Sequence, residues 1–471
     1  MELSMLKKVF LMLSLALLLA LVSCKAESSS HCGVTTAPSS DITGAITTPT
    51  TTQEPTLSEK IEALASEANS KEDIKALRAL VWEEYARKIA EEEPSRKNEI
   101  KRNATTNITI GKTTMKVRTR VVGKPAEDGY PLFLIYHGGG YDPNNQYNES
   151  QWEGMIDRYD DIPGIYCSIR SVSDNESSGQ IFSTNVSWKF YDRIIENCIL
   201  YMNANPNKVY IVGYSAGGNG VYQIAPRITD RLAAANMSAG HPEGIDLTNL
   251  YNLPFYLQVG ELDSAYNRNT ITVEYAQKLD GLAALYGGGY YYKCFVHSGK
   301  AHGVVGDNKS DQSVIADNSL WLAAQKSGKV YSGGTVNTET HAAKLMNAHV
   351  RDPLPERIIM NAETTYNSGL RREIRSFYWI STKARSGNID ISYDKETNTI
   401  TVSECTIKKT DITIYLNEDM VDLFSTVKIV MPDGSTEEFM PQILLDLLRE
   451  TTDERGDPSY QFCASYTFSI E

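Results

Sequence analysis

One short run constrains what this chain can fold into more than any other feature of the sequence. Residues 209–218 read VYIVGYSAGG, an apolar stretch that ends in Gly213-x-Ser215-x-Gly217. An apolar run of this length is typical of a buried parallel strand, and the small residues after it suit a tight turn into a helix. A serine on such a turn is held at the carboxyl edge of a sheet, where a base and a substrate carbonyl can reach it. We therefore expect a mostly parallel sheet that carries a nucleophile, Ser215, at one edge.

A glycine-rich loop follows another apolar run upstream. Residues 130–136 read as a buried strand that leads, after one histidine, into Gly138, Gly139 and Gly140. Acyl transfer needs preorganised N–H donors for the charge that develops on the carbonyl oxygen, and glycines let the backbone approach closely. We expect the amides of Gly138 and Gly139, together with that of Ala216, to form an oxyanion hole. The alternative is a glycine-rich β-turn that binds nothing.

Two further predicted strands lead into an acid and a base. Residues 254–259 read as a strand that Asp263 follows after a short turn, and residues 290–296 read as a strand that His302 follows in a glycine-flanked loop. A histidine in that place can take the proton of the serine, and a carboxylate can fix the histidine tautomer. The chain order Ser215, Asp263, His302 is one of the known orders of a catalytic triad.

Other side chains of the same types are the alternatives for these two roles. Glu261 lies on the same loop as Asp263, and Asp280, Asp307 and Asp311 are further carboxylates of the region. Asp307 and Asp311 follow the histidine in the chain and would break the usual order, so we prefer Asp263 as the acid. The remaining histidines of the region fall at a strand end, in a loop or beyond the predicted catalytic domain: His297, His241, His341 and His349.

Together these motifs resemble those of the α/β-hydrolases. The resemblance covers residues from about 105 to 326 and is strongest to the branch with secreted esterases, feruloyl and acetyl-xylan esterases and polyhydroxybutyrate-depolymerase-like proteins. It implies a mostly parallel central sheet flanked by helices, and a serine-hydrolase mechanism with Ser215, Asp263 and His302 as the triad. Further segments resemble predicted secreted bacterial hydrolases: 259–263, 266–269, 353–357, 377–379 and 420–423.

The amino terminus reads as an export signal and a tether. Two lysines precede an apolar stretch from Val9 to Val22, which is short for a membrane span and built like the core of a signal peptide. The stretch ends in Leu-Val-Ser-Cys, which resembles a bacterial lipobox, so we expect cleavage of residues 1–23 and lipidation of Cys24. An ordinary signal peptide is the alternative. Residues 24–56 are rich in Ser, Thr and Pro and predict a flexible tether. The expected location is extracytoplasmic, at a bacterial cell surface or in the periplasm, or else secreted.

We divide the remaining sequence into a helical segment at 57–104, a catalytic domain at 105–328 and a small β-rich domain at 345–471. In the helical segment, Ser70 and Asp73 are typical of a capping box that opens a helix. In the catalytic domain, segments 106–110 and 114–122 alternate enough to predict the first hairpin of the sheet. The predicted helix carries an apolar stripe made of Ile74, Leu77, Val81, Tyr85 and Ile89.

The C-terminal domain combines short β-branched runs with turn signals, which predicts a sandwich. One reading is a carbohydrate-binding or lid module with Trp379 and nearby tyrosines as a stacking platform, and the other is a structural cap with these aromatic residues in its core. We note that Cys405 and Cys463 could pair within this domain.

Composition narrows the partners. A net charge of −13 argues against binding to nucleic acid or electrostatic attachment to anionic membranes. The sequence has no C-x-x-C or H-E-x-x-H motif and no phosphate-cradling loop, so we expect no metal and no cofactor. The substrate pocket is expected near aromatic side chains, which could equally be packing residues: Tyr141, Tyr147, Trp152 and Trp188.

The expected activity is hydrolysis of carboxylic esters, small or borne on a plant polymer or polyester, through an acyl-enzyme. A peptidase of the prolyl-oligopeptidase type would share the fold and the triad, but the glycine-rich loop is more typical of an esterase. A non-catalytic surface protein that binds glycans is the alternative from a different class. Its weakness is that the nucleophile, the acid and the base are all present.

Overall fold

The protein is described here from a computed structural model that covers residues 54–177, 180–365 and 376–470. The expected signal peptide, Cys24 and nearly all of the tether lie outside the described residues. The described chain begins with two helices, α1 (Leu57–Glu67) and α2 (Lys71–Glu92). The predicted cap of α2 is confirmed, since the Ser70 side chain accepts a hydrogen bond from the Asp73 amide. The whole predicted apolar stripe of α2 is buried.

A single twisted layer of strands forms the central sheet. Its strands are β1 (Ala104–Ile110), β2 (Thr113–Val122), β3 (Tyr130–Tyr136), β4 (Gly164–Ile169), β5 (Ala204–Tyr214), β6 (Ala234–Ser238), β7 (Phe255–Gly260), β8 (Tyr292–His297), β9 (Ser313–Ile315) and β10 (Thr335–Asn337). Their spatial order is β1-β2-β4-β3-β5-β6-β7-β8-β9-β10. The strands from β4 to β8 in this order run parallel, and those at both edges pair antiparallel.

Helices alternate with the parallel strands and cover the sheet. They are α3 (Gln146–Met155), α4 (Ser187–Met202), α5 (Ala216–Ile224), α6 (Arg268–Tyr286), α7 (Asn318–Lys326) and α8 (Ala342–Met346). Every residue of β3 is buried, as expected of a parallel strand covered on both faces. The predicted α/β-hydrolase fold is thereby confirmed, as is the first hairpin, which is formed by β1 and β2. None of the helices in the described ranges has the length and apolar character needed to cross a lipid bilayer.

The C-terminal region is rich in β-structure, as predicted, and contains two sheets. Its elements are β11 (Arg357–Asn361), α9 (Ala362–Thr365), β12 (Ser376–Phe377), β13 (Ile380–Thr382), β14 (Asn388–Asp394), β15 (Thr399–Cys405), β16 (Ile412–Leu416), β17 (Val427–Val430), β18 (Thr436–Phe439), α10 (Leu445–Arg455) and β19 (Ala464–Phe468). The strand order is β11-β14-β15-β17-β18 in one sheet and β12-β13-β16-β19 in the other.

Of the two readings of Trp379, the structure supports the core role, and it contradicts the suggested pairing of Cys405 with Cys463. Trp379 is fully buried and its indole nitrogen donates to the Pro355 carbonyl at 2.9 Å, so its ring is a core residue and cannot stack on a sugar. Cys405 and Cys463 are free thiols. Cys405 ends β15 in one sheet, whereas Cys463 is buried just before β19 in the other, so the two belong to different layers.

Buried ion pairs join this region to the part of the chain that carries the central sheet. Arg455 at the end of α10 lies 2.6 Å from Asp230, just before β6. Asp457 lies 3.2 Å from Arg231 and 2.9 Å from Arg351. All five side chains are buried. The β-rich region is therefore docked firmly, because removing one partner of a buried ion pair costs about 3–5 kcal/mol.

Candidate active site

Ser215 lies at the turn between β5 and α5, on the carboxyl edge of the sheet. Its backbone has φ 54° and ψ −116°, a conformation that side-chain-bearing residues seldom adopt. The Ser215 amide donates to the Ser238 carbonyl at the end of β6, at 2.9 Å. The side chain is half-buried and stands out from the sheet edge. Strain of this kind persists only where the surroundings impose it, and it is common at reactive residues.

The glycines around the serine are required because the backbone segments nearly touch. A Cβ atom on Gly213 would lie 2.1 Å from the carbonyl oxygen of Gly217. A Cβ atom on Gly217 would lie 2.2 Å from the carbonyl oxygen of Tyr136, at the end of β3. The start of α5 therefore packs against the strand that carries the glycine-rich loop. The G-x-S-x-G pattern is thus explained by packing on both sides of the serine.

The structure brings together the nucleophile, base and acid named from the sequence. The Oγ atom of Ser215 lies 3.0 Å from Nε2 of His302, and Nδ1 of His302 lies 2.8 Å from Oδ2 of Asp263. The Asp263 side chain is completely buried, whereas that of His302 is 35% exposed. This geometry places a proton on Nδ1, where it donates to the carboxylate, and leaves Nε2 free to accept the serine proton.

The other candidate carboxylates are engaged elsewhere. Glu261 accepts a hydrogen bond from the Gly299 amide at 2.8 Å and thereby ties the loop after β7 to the loop after β8. Asp280 accepts from a tyrosine hydroxyl on β8. Asp307 pairs with an arginine at 2.8 Å. The loop that carries the acid and the loop that carries the base are therefore fixed to each other by Glu261, a role that the sequence did not reveal.

The glycine-rich loop is pinned by Asn148, a buried residue of α3. The Asn148 amide group accepts from the Gly140 N–H at 3.1 Å and donates to the Gly140 carbonyl at 2.8 Å. A Cβ atom on Gly139 would lie 1.9 Å from Asn148 Oδ1, and one on Gly138 would lie 3.0 Å from the Tyr214 ring. Among the described residues, the amides of Gly138 and Gly139 donate to no acceptor. Together with the first-turn amide of Ala216, they can serve an oxyanion.

His137, the residue before the glycine-rich loop, also helps to hold that loop in place. Burial lowers the pKa of His137 to about 3, so its imidazole is neutral at physiological pH. Its Nδ1 atom lies 2.6 Å from the Gly138 carbonyl oxygen, and its Nε2 accepts from the Ser171 amide at 3.2 Å. These two partners place the ring proton on Nδ1. His137 is thus a structural residue of the loop and not a second base.

Two more residues near the triad had no assigned role in the sequence. The ring of Tyr214 lies 5.4 Å from that of His302, and burial raises the pKa of the Tyr214 hydroxyl. Arg268, the first residue of α6, places its guanidinium 3.6 Å from Asp263 Oδ1. The sequence alone does not show that Arg268 reaches the acid.

The aromatic residues expected near the substrate pocket separate into two groups. Tyr141 and Tyr147, beside the glycine-rich loop, are 67% and 59% exposed. Trp152 is buried and donates to the Ser168 carbonyl, which is a packing role. Trp188 lines a cavity of about 290 Å³ at the junction with the β-rich region, and the walls of that cavity include none of the three triad residues.

The described part of the chain contains no group of three or more His, Cys, Asp or Glu side chains that could hold a metal ion.

His297, at the end of β8, is buried and its Nε2 lies 2.9 Å from the amide oxygen of Gln258. Burial lowers the pKa of His297 to about 4. It therefore belongs to a buried network of neutral side chains, in which Gln258 donates in turn to Asn236 at 2.7 Å.

No protein-family model and no curated protein matches this sequence. Solved structures that it resembles include a thermostable esterase, with 16% identity over 53% of this chain and 63% of that chain and a TM-score of 0.33. The poly(3-hydroxybutyrate) depolymerase LpqC of Bordetella parapertussis has 15% identity over 48% of this chain and 91% of that chain, with a TM-score of 0.34. An arylesterase has 12% identity over 57% and 95%, with a TM-score of 0.32. This chain spans less than two thirds of the thermostable esterase.

Proposed function

We propose that this protein is a serine hydrolase that cleaves carboxylic esters. The observation that carries the proposal is the continuous path from Ser215 Oγ through His302 to Asp263, with atom separations of 3.0 and 2.8 Å. Nucleophile, base and acid come from three different loops at one edge of the sheet. A serine becomes nucleophilic at neutral pH when its hydroxyl contacts an imidazole that is in turn bound to a buried carboxylate.

In the proposed reaction, Ser215 Oγ attacks the acyl carbon while His302 Nε2 takes the serine proton. The tetrahedral oxyanion is bound by the amides of Gly138, Gly139 and Ala216. Its collapse breaks the ester bond, and the departing alkoxide leaves as the alcohol with the proton from His302. Water then attacks the acyl-enzyme with His302 as base again, and the second collapse releases the carboxylic acid and restores the serine.

The exposed aromatic side chains beside the glycine-rich loop support a large or polymer-borne substrate. Tyr141 and Tyr147 offer flat apolar surface to solvent next to the proposed oxyanion hole, where a polymer strand with aromatic or aliphatic ester groups could lie. We propose plant-polymer or polyester-type esters as the substrate class on this ground. The sequence also supports a location outside the cytoplasm, where a lipid on Cys24 would anchor the protein to a membrane. It further supports a division into a catalytic domain at 105–328 and a β-rich domain at 345–471.

Labelling with a fluorophosphonate probe tests the proposal. Wild-type protein should be labelled and Ser215→Ala should not, while both show the same circular dichroism and melting temperature. Ser264→Ala is the matched control because Ser264 is an exposed serine on the acid loop, and its labelling should match wild type. A folded wild-type protein that resists the probe, or a Ser215→Ala variant that still reacts, would contradict the assignment. Turnover of chromogenic acyl esters over dipeptide anilides separates an esterase from a peptidase.

A further inference from the structure

The two oxygens of the Asp263 carboxylate have different surroundings. Oδ2 receives the hydrogen bond from His302 at 2.8 Å. Oδ1 is buried and has no hydrogen-bond partner among the described residues. The guanidinium of Arg268 lies 3.6 Å from Oδ1, beyond hydrogen-bond distance but close enough for a strong electrostatic attraction. A buried charge is costly unless an opposite charge compensates it, so this cation bears directly on the acid.

The position of Arg268 is fixed by its surroundings. Its side chain is only 10% exposed. One guanidinium nitrogen donates to the Ala265 carbonyl at 3.3 Å, and the central carbon lies 4.8 Å from the ring centre of Tyr266. The Tyr266 ring, which is itself 76% exposed, lies between solvent-facing surface and a guanidinium that is largely buried. Among the described residues, Asp263 is the carboxylate that pairs with Arg268.

Other charged and titratable groups face this part of the site from the neighbouring elements. Tyr214 comes from the end of β5, and the Asp263 and Arg268 charges both act on its hydroxyl. Arg158, which precedes β4, is already paired with Asp307 at 2.8 Å. Three further residues face this part of the site: Tyr147 on α3, Glu261 after β7 and the exposed Lys300 on the loop of the base. None of these supplies a cation within ion-pair distance of Asp263 in the described chain.

Resting on the proposed function, we propose that Arg268 is a positioning residue for the triad, whose charge compensates that of the buried Asp263 side chain and holds it in the orientation that binds the His302 imidazole. Loss of the guanidinium would remove a positive charge that lies 3.6 Å from Oδ1, an oxygen with no hydrogen-bond partner among the described residues. Removal of a positive charge makes uptake of a proton by the site as a whole more favourable, and the protonated site is inactive. We therefore expect the acidic limb of the pH profile to move to higher pH.

The test compares Arg268→Gln and Arg268→Lys by measuring kcat/KM for a chromogenic ester between pH 4 and 10. An opposite charge at this separation typically alters carboxyl ionisation by about 1–3 pH units when buried, so we expect the acidic limb of R268Q to move up by about one unit. The R268K variant keeps the charge and should recover most of that displacement. Lys300→Gln is the control, because it removes an exposed positive charge from the neighbouring loop without touching Asp263, and its limb should stay in place.

A second variant covers the case in which R268Q does not fold. Tyr266→Ala keeps Arg268 but admits water to the guanidinium, so a smaller displacement in the same direction is expected. The proposal is overturned if folded R268Q or Y266A keeps the wild-type acidic limb, or if R268K behaves like R268Q. Probe labelling at pH 9 separates this failure from that of the proposed function, since in that outcome the variants would still be labelled. Absence of labelling in the wild type would instead remove the proposed function.

Discussion

The two halves of the candidate active site differ in the surroundings of the glycine nearest the reacting side chain. On the nucleophile side, Gly217 brings α5 so close to β3 that a methyl group would lie 2.2 Å from a carbonyl oxygen. On the acid–base side, the close backbone approach lies further back, at the end of β7, where a Cβ atom on Gly260 would lie 2.4 Å from the Lys300 carbonyl oxygen, whereas Gly303 beside His302 has open space. The acid and base loops are also joined by hydrogen bonds, such as that from the Gly299 amide to Glu261 at 2.8 Å. Close backbone packing fails abruptly when atoms are added, whereas a lost side-chain hydrogen bond weakens a structure by degrees. Substitutions beside the two reacting side chains should therefore differ in kind as well as in size.

The largest effect is expected for Gly217→Ala on the nucleophile side. The added methyl group cannot avoid the Tyr136 and His137 carbonyl oxygens, at 2.2 and 2.8 Å, unless α5 moves and displaces Ser215. We expect ester hydrolysis to fall by about 10³-fold, since small displacements of reacting groups cost about 10²-fold or more. Overpacking should also lower the free energy of unfolding by about 1–3 kcal/mol. Esterase kinetics and urea unfolding measure both.

Gly303→Ala is the matched change on the base side. Gly303 directly follows His302, yet a Cβ atom there would have its nearest neighbour, the Ala301 carbonyl oxygen, at 4.0 Å. Activity within about twofold of wild type is expected, because such a distance is an ordinary contact. If both alanine variants were equally impaired, or both equally active, the distinction between the two halves would be lost.

An intermediate effect is expected for Asn148→Ala. This change removes both hydrogen bonds to Gly140 and the space-filling contact next to Gly139. The oxyanion amides would then be less well ordered, and removal of an oxyanion donor costs about 10²–10³-fold in kcat. We expect a fall in kcat of about 10²-fold with KM changed little, because the loss concerns the transition state.

Asn144→Ala serves as the control for that measurement, since Asn144 is an exposed amide in the same loop. Its kcat should equal that of wild type. An Asn148→Ala enzyme with wild-type kcat would show that the glycine-rich loop keeps its shape without Asn148, and the nucleophile half would then depend on backbone packing alone.

The smallest effect is expected for Glu261→Gln on the acid–base side. The amide oxygen of glutamine can still accept from Gly299, but without the charge that strengthens the bond. A loss of about 1 kcal/mol in holding the two loops corresponds to roughly fivefold lower kcat/KM. Glu261→Ala should lower kcat/KM further. A loss comparable to that of Gly217→Ala would mean that Glu261 takes part in the reaction itself.

The parts of the site that could be predicted are those that short-range rules specify. Apolar runs predicted the positions of the strands. Three of these strands are followed by a serine, an aspartate and a histidine in that order, which predicted that the three side chains meet at one edge of the sheet. The supporting residues could not be found in this way. Asn148 and Arg268 lie on helices that follow the loops they hold, and their contacts depend on how those helices pack.

The points that the sequence left open have the same origin. Trp379 and Trp152 each allowed a binding role or a packing role because aromatic residues serve both cores and binding sites, and only the packing of the layers shows that both are buried. No local sequence pattern shows whether Cys405 and Cys463 lie close together. The strand order of the β-rich region places them in different sheets, where both are free thiols. Fold class was accessible from local signals, whereas contacts between distant segments were not.

The helices at the start of the described chain share their core with its last strands. Ile61, Ile74 and Val81 from α1 and α2 are buried in the same cluster as Ala464 and Phe468 of β19. A ribosome releases the chain from its amino end, so these helices emerge long before the strands that will cover them. Their apolar faces stay open to chaperones, and to aggregation, until the β-rich region that shares their core has been added. Synthesis of that region is therefore the event that allows these two helices to be buried.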